Sequence, residues 1–107
     1  MTTIQRKPVT VQSGIVVAIA VADSEAITNE AASVLMVRRT SGTAATVNIF
    51  GATAVDGTYL QMTFEGSDLT AAITATDWTV LPTAAFAAPW IKLVGDATGV
   101  VEVAGKG

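Results

Sequence analysis

The chain has 107 residues with neither cysteine nor histidine; half are hydrophobic, 14% are charged, and the formal charge at pH 7 is −3. This length suits one domain, 1–107, that buries most of its apolar surface without staples; two domains would each be too small. Lacking Cys and His, it has no disulfide, no thiolate metal site, no usual nucleophile, no near-neutral general base and no imidazole ligand, which leaves any catalysis to carboxylates, Lys, Ser/Thr or Tyr59.

Chain order begins with a polar stretch, Met1 to Ser13, that carries Arg6-Lys7 just before Pro8 and a weak strand pattern around Val9 and Val11. It reads as an N-terminal arm with a short edge strand, since proline removes a ladder donor and favours sheet edges. Ile15 to Val21 follows Gly14, is rich in β-branched residues and is expected to be a core strand buried on both faces. Asp23 to Ala32 is compatible with a helix but shows no apolar stripe, so it is expected to be a loop with at most one helical turn. Val34 to Arg39 alternates and predicts a central strand, Thr40 to Thr43 a turn, and Thr46 to Phe50 a strand with Val47 and Ile49 on one side.

Asp56-Gly57 is a turn signal. Beyond it, Leu60, Met62 and Phe64 alternate with Tyr59, Gln61 and Thr63 and predict a half-buried strand closed by Glu65 to Asp68. Leu69, Ala71 and Ile73 alternate with Thr70, Ala72 and Thr74, and a short strand over Trp78 to Leu81 ends at Pro82. An alanine-rich stretch then leads to Trp90 to Val94 and Val100 to Ala104, which read as a β-hairpin across Gly95 to Gly99. That register sets Lys92 opposite Glu102, and Ile91 and Leu93 opposite Val103 and Val101, pairing charges on one face and aliphatics on the other. About eight short strands with turn chemistry between them describe an all-β, single-domain antiparallel β-sandwich or jelly roll.

The charged fraction falls well below the roughly 25% usual for soluble domains. Either much of the surface is covered in an obligate assembly, or exposed positions are filled by neutral Thr, Ser and Ala. The acidic balance, with a pI near 4.6, argues against nucleic acid, whose binding rests on Lys and Arg. No apolar run approaches the roughly 20 residues needed to span a membrane as a helix, and no cleavable signal pattern precedes Ile15, so synthesis in the cytoplasm is the default expectation.

Glu65, Asp68 and Asp77 come nearest to an acidic cluster, but they fall at turns, where such residues are ordinary caps. Paired-carboxylate hydrolysis needs two such groups held across a cleft, and calcium needs a dense oxygen spacing that Asp96 and its neighbours lack. Gly95 and Gly99 flank an acidic turn and form no phosphate cradle. The residues therefore predict no enzyme, cofactor or metal. Trp78, Trp90 and Tyr59 are either core packing or an aromatic platform for sugar. Arg38-Arg39 ends a strand, so its guanidinium groups point to opposite faces; Arg suits interface carboxylates, and a solvated strand end suits it equally.

The run Arg38 to Gly51, the turn Val55-Asp56-Gly57-Thr58-Tyr59, and above all Phe86 to Val103 with its Pro89-Trp90-Ile91-Lys92-Leu93-Val94 core resemble small β-sandwich virion proteins of tailed bacteriophages. The resemblance covers about the last two thirds of the chain. It implies a capsid decoration or cement protein, made in the host cytoplasm and located on the capsid surface. Such a protein binds the major capsid protein or another virion protein, stabilises the head, and forms a homo-oligomer, with a trimer favoured. Terminal arms in that group clamp neighbouring subunits. Thr2, Ile4, Arg6 and Lys7 on the arm, with Arg38 and Arg39, are accordingly the candidate partner contacts. The alternatives are a tail, fibre or spike module binding host-surface carbohydrate through Trp78, Trp90 or Tyr59, and a tail-tube or connector subunit.

Overall fold

A computed structural model describes residues 9–29 and 34–106. Among them the chain forms β1 (Val9–Val17), β2 (Ala26–Thr28), β3 (Val34–Gly42), β4 (Thr46–Ala52), β5 (Leu60–Gln61), β6 (Thr63–Phe64), β7 (Ser67–Asp68), β8 (Thr70–Ala72), β9 (Thr79–Val80), β10 (Trp90–Gly95) and β11 (Gly99–Lys106). A single 3-10 turn, Thr83–Ala87, interrupts this all-β order.

One sheet has the order β1-β11-β3-β9; the other runs β2-β10-β4, with β5 and β8 sharing the far edge of β4. All the strand pairings are antiparallel. The pairs β1 with β11, β2 with β10, β3 with β9 and β4 with β8 are nested, as if one long hairpin had been folded at β5–β7 and then rolled. Rolling brings β11 beside β3 and β10 beside β4, which is the jelly-roll arrangement. A parallel bridge between Ala18 and Val94 ties the two sheets together where β1 ends.

The core forms where inward side chains of both sheets meet: Ile15, Val17, Leu35, Val37, Val101 and Val103 from the first, with Ile27, Val47, Ile49, Ile91 and Leu93 from the second. Burying each such side chain stabilises the fold by about 1.5–3 kcal/mol before the entropy of ordering it is charged. Gln12 closes one seam between the sheets, its amide donating to the Thr28 carbonyl and accepting from the Thr28 N–H, at 3.2 and 3.4 Å. The side-chain amide thereby occupies backbone groups on the open edge of β2, where another chain would otherwise pair.

The sandwich, the central place of β3, and the inward sets Val47/Ile49 and Leu69/Ala71/Ile73 agree with the sequence reading. Five expectations do not hold. The turn expected at Thr40 to Thr43 is mostly strand, because β3 runs on to Gly42 and pairs there with β11. The terminal hairpin is absent: β10 pairs with β2 and β4, β11 with β1 and β3, so Lys92 lies opposite Ala26 and Phe50, and Glu102 opposite Arg38. Ile91/Leu93 and Val101/Val103 still meet one core, but from opposite sheets rather than side by side. The strand expected at Ile15–Val21 is the end of β1, an edge strand whose Val16 and the following Ile19 are exposed. The loop at Asp23–Ala32 contains β2, short enough to carry only one inward residue, Ile27. The half-buried strand expected over Tyr59–Phe64 breaks into β5 and β6; Leu60 and Phe64 are 67% and 57% exposed because the β6–β7 ribbon leaves the sheet at Met62.

Two glycines separate backbone conformation from crowding. Gly14 sits at the bulge in β1 with φ +70° and open space where a side chain would go. Gly42, at the end of β3 with φ +83°, packs so closely on the last turn that a Cβ would lie 2.5 Å from Gly99 Cα and 2.6 Å from the Thr98 carbonyl. Gly14→Ala should therefore cost about 1–2 kcal/mol, and Gly42→Ala about 3 kcal/mol or more, since strain and backbone collision add. Urea unfolding measures both; equal losses would contradict the packing described at Gly42.

Candidate functional site

In antiparallel sheets one face commonly meets the core and the other water, which gives alternating apolar and polar residues. The outer face of the β1-β11-β3-β9 sheet departs from that rule. Across it, Val11, Ala104, Met36 and Val80 stand in one register row that spans all the strands of this sheet. Val11 and Val80 are each 62% exposed, and Val34 at the same end is 46% exposed. Toward the other end lies a polar row in which Glu102 on β11 faces Arg38 on β3. The Arg38 guanidinium sits 5.6 Å from the centroid of the Trp78 ring, within cation–π range. Val16 and Val100 then pair beyond it. The face thus carries an apolar row from edge to edge beside a charged row, with Lys106 in register between Val9 and Val34 at the end of the sheet.

The corresponding face of the other sheet is partly covered. The segment after β4 lays Tyr59 over β10, with the Lys92 ammonium 4.5 Å from the ring centroid and donating to the Val21 carbonyl at 3.2 Å. The Tyr59 hydroxyl donates to the Val55 carbonyl, and burial, with the nearby Asp56 charge second, raises its pKa above the ordinary 10.0. Trp90 stands on β10 opposite Thr28 and Ala52, on a different sheet from the ring under Arg38. The three aromatic residues singled out in the sequence do not form one platform.

Arg38 and Arg39 diverge as their positions on a strand end require. Arg38 lies on the outer face, whereas Arg39 turns to the sandwich end and donates to the Ala44 carbonyl. Thr2, Ile4, Arg6 and Lys7 lie outside the described residues. At the end held by Arg39, the Thr98 carbonyl accepts from the Thr43 and Ala44 N–H groups, and the Asp96 carboxylate accepts from the N–H groups of Ala45 and Thr46 at 3.0 and 3.4 Å. This end is closed by hydrogen bonds between two turns. Glu65 lies in the β6–β7 turn, where its φ of 52° and the 82° of Gly66 fit a tight two-residue hairpin, while the Asp77 N–H donates to Thr74 Oγ1. Among the described residues no group of three acidic side chains gathers to hold a metal.

The opposite end is more open. Two shallow hollows of about 340 and 280 Å³ flank the Ala88-Pro89 segment, one against Trp90 and Asn29, the other against Met62 and Leu60. Both fall at the low limit of ligand pockets, roughly 300–1,000 Å³. Asn29 is buried there and donates from Nδ2 to the Ala85 and Ala88 carbonyls; among the described residues its Oδ1 is a buried side-chain acceptor with no partner.

Compared with models of known protein families, with curated proteins and with solved structures, the chain matches none. What the sequence reading missed is the outer face itself. Its trace in the sequence is Val34-Leu35-Met36-Val37, apolar at four successive positions where a strand with one wet face would alternate.

The closed end yields a pH dependence. Its backbone donors Ala45 and then Thr46, with Arg39 a smaller contributor, hold the Asp96 carboxyl below its ordinary 3.8. A carboxyl depressed on folding stabilises the protein above its unfolded value, and that stabilisation is lost as pH falls through the folded value. The stability difference between the protein and Asp96→Ala should stay constant above about pH 5 and shrink below about pH 4. Urea titrations from neutral to acid pH measure it; a difference that does not shrink in acid would contradict the role given to the carboxylate.

Proposed function

We propose that this chain is a virion structural protein, a capsid decoration protein of a tailed bacteriophage that binds the major capsid protein and stabilises the head, and that it is not an enzyme. The observation that carries the reading is the outer face of the first sheet, which presents an apolar row from edge to edge, with Val11 and Val80 each 62% exposed. Contiguous exposed apolar surface marks a place where another macromolecule binds. Jelly rolls serve capsids and lectins alike, so the architecture is compatible with a virion subunit without selecting it. The resemblance of Phe86 to Val103 and its flanking motifs to phage virion proteins supplies the rest.

On this reading the protein works as a homo-oligomer on the capsid surface, with the segment Met1 to Lys7 reaching a coat subunit by strand addition or side-chain docking. Binding only the assembled shell would stabilise it by mass action, by about 2.7 kcal/mol per site at a free concentration 100 times the dissociation constant. The carbohydrate-binding alternative loses a platform built from all three aromatics, since Trp78 lies on the other sheet from Trp90 and Tyr59.

Shells carrying the protein should survive heating or osmotic shock that breaks shells without it, and equal survival would overturn the proposal. Deleting Met1 to Lys7 should weaken co-sedimentation with shells while leaving the β-type circular dichroism unchanged. Undiminished co-sedimentation would remove the arm from the attachment. A tryptophan emission change on adding sugars would favour the receptor-binding alternative.

A further inference from the structure

We infer that the outer face of the β1-β11-β3-β9 sheet packs against the same face of a second copy of this chain, about a two-fold axis that runs parallel to β3 and β11 and midway between them. The inference rests on the reading of the chain as an assembly subunit and names the surface through which copies meet.

The argument is one of self-complementarity. In a symmetric pair, if residue i contacts residue j, then j contacts i. An axis between the two middle strands lays β11 of one copy over β3 of the other and β1 over β9. The apolar row Val11, Ala104, Met36, Val80 then falls on the partner's row in reverse order. Small Ala104 meets long Met36, and each exposed edge valine, Val11 or Val80, meets the other. In the charged row, Glu102 of one copy falls over Arg38 of the next, twice, so that row finds opposite charge rather than like. Trp78 continues that row beyond Arg38, and the axis sets it over the β1 bulge at Ser13-Gly14, where the side chains are smallest. Size, charge and hydrophobicity match in these two rows under one operation, Lys106 falls over Val34 of the second copy at the end of the sheet, and aligned sheets pack face to face in this way.

A face that complements itself closes in pairs, so it builds a dimer or an even multiple, in place of the trimer favoured by the family resemblance. Other occupants fit less well. A strongly acidic or basic partner would meet one charge of its own sign in every Arg38/Glu102 pair, and nucleic acid would find only one guanidinium on the face.

Val11 and Val80 offer the test because both are well exposed and lie on the two edge strands of the sheet, about 14 Å apart within one chain at the usual strand spacing. Light scattering after size exclusion should give the purified chain twice its 10.9 kDa mass. Val11→Glu and Val80→Lys should each raise the dimer dissociation constant at least about tenfold, by burying an unpaired charge. Mixing the two variants should restore the dimer, because one of the two valine contacts becomes Glu against Lys and the other stays native. Unchanged circular dichroism of each variant shows that the fold is intact. A monomeric or trimeric protein, a dimer indifferent to both variants, or no recovery on mixing would overturn the inference. These readings use the isolated chain, so failure here is distinct from failure to bind shells.

Discussion

The position of β11 between β1 and β3 is the constraint from which the rest of this structure follows. Inside the pairing of the last strand with the first described strand the others nest, with β2 against β10, β3 against β9, and β4 against β8. The inward side chains of β11, Val101 and Val103, then meet Ile91 and Leu93 of β10 across the sandwich, and the fully buried core is assembled from both sheets at once. The same pairing decides what lies outside. Glu102 and Ala104 become the middle of a broad sheet face rather than one side of a narrow hairpin.

The end loops reflect that topology. Successive strands alternate between sheets over most of the chain, so the turns that join them bridge the sandwich. The turn after β3 and the turn after β10 lie against one another and exchange the bonds of Thr98 and Asp96, Arg39 braces the first of them through the Ala44 carbonyl, and Gly42 and Gly99 allow the backbones to approach. The far end relies on a 3-10 turn and the buried Asn29 amide, and encloses less. Hydrogen bonds between turns are therefore concentrated at one end.

Much of the architecture was legible in the sequence because period-two alternation survives in β4 and along Leu69 to Ile73, whose inward residues Val47, Ile49, Leu69, Ala71 and Ile73 are all buried. The pairing of strands was not legible. Ile91/Leu93 and Val101/Val103 satisfy a hairpin and a sandwich equally well, because the pattern records which side of a strand is apolar but not which neighbour it has. Long-range competition from β1 and β3 for β11, and from β2 and β4 for β10, decides the outcome. β2 was missed because three residues with one inward side chain carry almost no periodic signal. Of the candidate contacts, the divergence of Arg38 and Arg39 was readable from strand geometry. The stacking of Arg38 on Trp78 was not, since 40 positions of sequence separate them. The outer row of Val11, Met36, Val80 and Ala104 comes from four different strands and exists only after the roll has closed.

The low charge of the chain fits this picture, since the proposed pairing covers the exposed Val11 and Val80. A cysteine-free chain makes the decisive measurement simple. In a Val11→Cys/Val80→Cys double variant the two thiols of one chain lie three strand spacings, about 14 Å, apart, whereas facing sheets stack about 10 Å apart, too far for a direct disulfide but within reach of a short bis-maleimide cross-linker. Treatment with that cross-linker should therefore yield a covalent dimer on a denaturing gel. A chain that stays monomeric after cross-linking, or that forms an open ladder of multimers instead of a closed pair, would contradict the account.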